Sequence, residues 1–173
     1  MVSSEVYQAG VRQLTRREIA GIYMGKIRNW KEVGGPDREI VVIDKERHRG
    51  TRHVFMQYIF GNALQRTPGT LLVTGSNNEE QAKIAQSDSA IGMLSFAWMN
   101  EQVKAVSLQD QGKEFLPTWE AVQQGQYPIV RKLNFITAGE PKRDIKAFID
   151  FVKGPDGQKI VKESGYIPIG GKD

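Results

Sequence analysis

The amino-acid sequence predicts an α/β fold, and three observations carry that expectation. A β-branched run, Ile40 to Ile43, reads as a buried strand. It is followed by a segment with apolar residues at helical spacing, Val54, Phe55, Tyr58 and Ile59, closed by Gly61-Asn62. The same alternation of short extended and capped helical segments recurs along the rest of the chain.

The elements are read in order. Thr15-Arg16-Arg17-Glu18 is a capping box, with Leu14 and Ile19 at the positions of a hydrophobic staple. Ile19, Ile22 and Tyr23 share one face of the helix that follows, and Gly25 ends it. Gly34-Gly35-Pro36-Asp37 is a turn before the Ile40 strand. Leu71 to Thr74 reads as a second strand. Ser76-Asn77-Asn78-Glu79 caps a helix through Ala82 and Ile84. Ala90 to Leu94 and Val103 to Leu108 are strand-like, and Thr118 caps a short helix ending at Gly125. Tyr127 to Thr137 reads as a long extended segment. Ile145, Phe148, Ile149 and Val152 form the stripe of an amphipathic helix, broken at Gly154-Pro155-Asp156-Gly157. Gln158 to Glu163 is a last short helix.

Composition sets the bounds. The 173 residues suit one domain or two small lobes, with 39% apolar and 25% charged residues as in ordinary globular chains. No apolar run approaches the roughly 20 residues of a membrane span, so the chain is not expected to be membrane-embedded. No secretory signal is recognised at Met1 to Glu5. With no cysteine there is no disulfide, thiolate metal site or cysteine nucleophile. The formal charge of +4 is mild, but Lys45, Arg47, Arg49 and Arg52 are clustered, opposed only by Glu46.

That cluster carries the best chemistry. A strand feeds a loop, and the loop opens a helix at Gly50-Thr51. The first amides of a helix lack intrahelical acceptors and, with the dipole, make an anion site. Gly50 allows close approach, Thr51 adds a hydroxyl, and Lys45 or Arg49 adds charge. The competing reading is a solvated charged loop with Thr51 as an ordinary N-cap. The pattern G-x-x-x-x-G-K-[ST] is absent, so this is not a P-loop. His48 and His53 do not match H-E-x-x-H and stand among arginines, so no metal is expected. Ser76, Asp88 and His53 are not grouped as a catalytic triad and G-x-S-x-G is absent, so no enzyme is expected and no catalytic residue or cofactor is assigned. Trp30, Trp98 and Trp119 are widely separated and are assigned to packing rather than base stacking.

With these segments in view, the chain resembles the phosphate-binding subunit of ABC transporters, a type II periplasmic binding protein. The resemblance rests on residues 14 to 23 (LTRREIAGIY), Gly25-Lys26-Ile27-Arg28-Asn29-Trp30, Gly34-Gly35-Pro36-Asp37 and Gly50-Thr51-Arg52 with Phe55. It continues through Ala90-Ile91-Gly92-Met93, Gly125-Gln126-Tyr127-Pro128-Ile129 with Arg131, Phe148-Ile149-Asp150-Phe151-Val152 and Gly165-Tyr166-Ile167-Pro168. The family's loop reads arginine, three residues, then Ser-Gly-Thr. Here Lys45 stands for the arginine and Arg49 for the serine, while Gly50 and Thr51 match.

The resemblance implies a type II periplasmic-binding-protein-like lobe, a βα sandwich, over residues 1–127. Residues 128–173 are then the returning strand and helices of the other lobe, without that lobe's N-terminal part. It implies inorganic phosphate or a similar oxyanion as ligand, held by Lys45, Arg49, Gly50, Thr51 and Arg52. It further implies an ABC transporter permease as partner and a periplasmic or extracytoplasmic location. An anion-sensing or interaction module without transport is the alternative. Nucleic-acid binding rests only on the basic loop and the pI, and is not expected. Ile129, Leu133, Phe135 and Ile136, with the Ile145 stripe, need burial, so a homodimer that covers them is expected, the alternative being that the segment folds back onto its own lobe.

Overall fold

The computed structural model describes residues 1–169. The chain divides into two compact units, Met1–Val130 and Arg131–Asp173.

The first unit opens with β1 (Val2–Ser3) and α1 (Ser4–Gln8), followed by β2 (Gln13–Thr15) and α2 (Arg16–Tyr23). The Thr15 hydroxyl accepts from the Glu18 amide at 3.1 Å, and Glu18 accepts from the Thr15 amide at 2.7 Å, so the expected capping box is formed. Ile19, Ile22 and Tyr23 are the buried face of α2. Gly25 takes the left-handed conformation at φ +68°, which ends the helix. A 3-10 turn then buries Trp30, whose indole N–H donates to the Ser89 carbonyl at 2.9 Å.

The βαβ core follows: β3 (Val41–Lys45), α3 (Gly50–Phe60), β4 (Leu72–Thr74), α4 (Asn77–Ala85) and β5 (Ala90–Ile91). After these come β6 (Val103–Lys104), β7 (Ser107–Asp110), β8 (Lys113–Phe115) and α5 (Trp119–Gln123). One sheet has the order β4-β3-β5-β1-β6. Its β3 is parallel to both β4 and β5, whereas β1 runs antiparallel to β5 and β6. A second sheet, β2-β7-β8, pairs β2 parallel and β8 antiparallel with β7. Gln111 and Gly112, at φ +49° and +76°, close the β7–β8 hairpin, as a two-residue turn that follows strand twist requires.

The main apolar core joins Val2, Val6 and Leu14 to Ile22, Trp30, Val42, Met56 and Leu108. Ile43, Ile84, Ala90 and Val103 form a second cluster around β3, α4 and β5. The segment before β4 is pinned to the end of α2: the Gly69 amide donates to the Tyr23 carbonyl at 3.0 Å. A Cβ on Gly69 would lie 2.4 Å from the Ile22 carbonyl oxygen and 2.6 Å from the Gly25 nitrogen. Both are backbone atoms that cannot step aside. Gly69→Ala is therefore expected to destabilise by about 1–3 kcal/mol, read as a lower urea midpoint.

In the second unit, α6 (Arg143–Lys153) and α7 (Pro155–Glu163) form a helical pair. Gly157 lies against the end of α6, where a Cβ would meet the Phe151 carbonyl at 2.3 Å. Phe135 stacks edge-on against Phe148 at 6.0 Å.

Two expectations change. The segment expected to be extended, Tyr127 to Thr137, forms no strand. A strand needs a neighbour to bond, and the described residues of the second unit are two helices and irregular backbone. Val103 to Leu108 is two strands rather than one. The expected stripe on α6 is present, with Ile145 57% and Phe148 58% exposed and Ile149 and Val152 half-buried.

Candidate functional site

The carboxyl ends of the parallel strands β3 and β4 lie side by side, in the register Lys45 opposite Thr74. The two loops leaving them are therefore neighbours. The Glu46 amide donates to the Thr74 carbonyl at 3.1 Å, and a Cβ on Gly75 would lie 3.4 Å from Glu46 Oε1. The loop from Asp44 to Thr51 and the loop at Gly75-Ser76-Asn77 thus leave the same edge, where an open α/β sheet places its ligand crevice.

Two helices begin at this edge, and their first turns are closed differently. Helix α4 is self-capped: the Ser76 hydroxyl accepts from the Glu79 amide at 3.1 Å, and Glu79 accepts from the Gly75 amide at 2.9 Å. Helix α3 starts after Arg49, which supplies no side-chain cap. Its first intrahelical bond runs from the His53 amide to the Arg49 carbonyl at 3.1 Å. The amides of Gly50, Thr51 and Arg52 precede that bond and have no carbonyl within the helix to reach. Thr51 is not the N-cap, and its hydroxyl makes no hydrogen bond among the described residues. Backbone donors, a hydroxyl and the positive end of the helix dipole therefore converge at one place.

The basic side chains are distributed otherwise than their spacing suggests. Lys45 is buried, and its ammonium pairs with the Glu80 carboxylate and donates to Asn77 Oδ1 at 2.9 Å. Arg52 is buried as well. Its guanidinium clasps Asp44, with Nε 3.0 Å from Oδ1 and Nη2 3.1 Å from Oδ2, and Nη2 donates to the Gln65 carbonyl at 2.7 Å. Arg49 stays 43% exposed at the loop and donates to Glu46 from Nε and Nη2, at 3.0 and 2.9 Å. Lys45, Arg49 and Arg52 are thus each matched by one carboxylate. Among the described residues, the amides of Gly50, Thr51 and Arg52 and the Thr51 hydroxyl have no hydrogen-bond partner.

Sequence reasoning passed over Asp44, Asn77 and Glu80, which hold this arrangement. Asp44 also accepts from the Thr67 hydroxyl at 2.7 Å and from the Lys45 amide at 2.7 Å. Glu80 accepts from the Met93 amide at 2.6 Å. Burial pushes its carboxyl above the ordinary value, against the pull of Lys45 and the Met93 amide. A weak signal existed for Asp44, a carboxylate at the end of an apolar strand eight residues before an arginine. None existed for Glu80, which the sequence shows as one more acid on a polar helix.

Comparison with known proteins agrees with this fold. A family model described as a PBP superfamily domain matches residues 2–155. The phosphate-binding protein PstS of Bacillus subtilis is 35% identical over 162 residues, covering 93% of this chain and 52% of that protein. A solved structure with bound phosphate, of a candidate phosphate ABC transporter substrate-binding protein from Clostridium perfringens, superposes with a TM-score of 0.76 at 32% identity. It covers 92% of this chain and 64% of that one. An ABC-type phosphate transport receptor from Vibrio cholerae gives a TM-score of 0.67 at 28% identity, over 91% of this chain and 64% of that one. The chain spans about half the length of the curated relatives it matches. With the family matched from residue 2 to residue 155 on a mixed α/β architecture, the chain belongs to the PBP superfamily domain family.

Proposed function

We propose that the crevice at the carboxyl ends of β3 and β4 is one wall of a binding site for inorganic phosphate or a similar oxyanion. The chain then serves as a solute-binding protein, or part of one, outside the cytoplasm, and hands its anion to an ABC transporter permease. Residues 1–127 act as the lobe that carries this wall, and residues 128–173 belong to the other lobe. The observation that carries the reading is the uncapped start of α3, where the amides of Gly50, Thr51 and Arg52 and the Thr51 hydroxyl converge. The relatives named for phosphate binding support the choice of anion.

The chemistry follows from the pairing of charges. Because Lys45 and the Arg52 guanidinium are engaged internally, the anion is met first by neutral donors held rigidly by the helix. Arg49, exposed at the rim, adds charge with the part of its fork that Glu46 leaves open. Thr51→Ala removes one donor to a charged group, a bond of about 1.5–3 kcal/mol, so phosphate affinity is expected to fall roughly tenfold or more. Calorimetric titration with phosphate checks this, and unchanged affinity contradicts the site. Sulfate and molybdate in the same titration identify the preferred anion.

We further propose a second copy of the chain as the cover for the apolar residues on α6 and around Phe135. Light scattering at micromolar concentration is expected to give twice the chain mass. A strictly monomeric species contradicts it.

A further inference from the structure

We propose that Glu80 is a positioning residue that sets the anion affinity of the crevice by holding the Lys45 ammonium inside the protein. The proposal rests on the reading of the crevice as an oxyanion site. Lys45 is the last residue of β3, and the next residue opens the loop toward α3. A lysine there has a four-carbon stem long enough to send its charge outward along the loop. It does not: its side chain is 2% exposed and that of Glu80 is fully buried.

The carboxylate is the fixed partner of the two. Glu80 Oε1 accepts from the Met93 amide at 2.6 Å. The neighbouring Gly92 leaves it room, since a Cβ at Gly92 would lie 2.5 Å from that oxygen. Glu80 therefore cannot follow the ammonium outward, whereas Lys45 is tied inward, among the described residues, by Glu80 and by Asn77 Oδ1. Removing the carboxylate charge leaves an unpaired ammonium in a buried place, which is strongly unfavourable. The stem then turns to water, and the charge arrives beside the amides of α3. Glu80 thus acts through Lys45 and never touches the anion.

The test is Glu80→Gln, which keeps the size and the acceptor for Met93 but removes the charge. Phosphate affinity is expected to rise roughly tenfold, with a steeper loss on adding salt, because a charge-assisted bond has been added. A merely structural role predicts unchanged or weaker binding with the same salt dependence, and that result overturns the proposal. Amine labelling read by mass spectrometry supplies the second measurement. In the unsubstituted chain Lys45 is expected to be protected while the exposed Lys83 reacts, and in Glu80→Gln the two are expected to label alike. Should Glu80→Gln fail to fold, Asn77→Ala removes the other tether at the partly exposed start of α4. There Glu80 still holds the ammonium, so Lys45 is expected to stay protected, and labelling that rises to the level of Lys83 overturns the proposal. Absence of phosphate binding by the unsubstituted chain would contradict the oxyanion reading, while the labelling still decides whether Glu80 holds Lys45 in.

Discussion

Asp44→Ala is expected to destabilise the first unit by about 3–5 kcal/mol, because it strands the Arg52 guanidinium in a buried place. The two side chains are 3% and 5% exposed, and three guanidinium–carboxylate contacts of 3.0 to 3.2 Å join them. Arg52 would keep the Gln65 carbonyl as acceptor but no countercharge. Thr67 and the Lys45 amide would each lose an acceptor as well. An exposed pair such as Arg38 with Asp88 offers the contrast, since its loss is worth about 0–1 kcal/mol. Urea denaturation separates the two cases. With a slope of about 1–3 kcal/mol/M, the Asp44→Ala midpoint is expected to fall by about 1 M or more. A loss within the range of a surface pair would contradict the buried clamp. Because Asp44 stands one residue before the end of β3 and Arg52 in the first turn of α3, weaker anion binding is expected to accompany the loss.

Lys45→Met is expected to produce a comparable loss of about 3–5 kcal/mol at neutral pH, and a smaller one in acid. The sign follows from Glu80. Burial holds its carboxyl above the unfolded value of about 4.5. A carboxyl raised in the folded state contributes stability that is fully present below its unfolded value and is lost as pH rises through the folded value. Lys45 limits that loss by pulling the folded value down. Without Lys45 the folded value moves further up, and the window of loss extends to higher pH. The deficit of Lys45→Met relative to the unsubstituted chain should therefore be small near pH 4.5 and grow toward pH 8. Other carboxylates cancel in that difference. Denaturation at both ends of the range checks it, and a deficit independent of pH would contradict the pair.

What the sequence reveals depends on how far apart the partners lie. The caps at Thr15, Ser76 and Thr118 form where the residue pattern places them, because donor and acceptor are three residues apart. The run at Ile40 and the opening of α3 at Gly50 are equally local. Strand β1 is only Val2–Ser3, and its status comes from partners near Ile91 and Val103, about ninety to a hundred residues away. The segment Tyr127 to Thr137 shows the converse, a strand-like sequence without a neighbouring edge. At the crevice, Gly50 and Thr51 were legible from the strand–loop–helix pattern. The inward turn of Lys45 and Arg52 was not, because Glu80 lies thirty-five positions beyond Lys45 and nothing in its own neighbourhood marks it as buried.

Following backbone amide resonances of the unsubstituted chain during titration with inorganic phosphate tests the oxyanion site most directly. Saturable shifts are expected at Gly50, Thr51 and Arg52, whose amides open the start of α3, with smaller changes at Arg49 and along Gly75-Ser76-Asn77. Amides of the second sheet, β2-β7-β8, should stay still. Shifts that do not saturate, or that gather elsewhere while the α3 amides remain unmoved, would contradict the site.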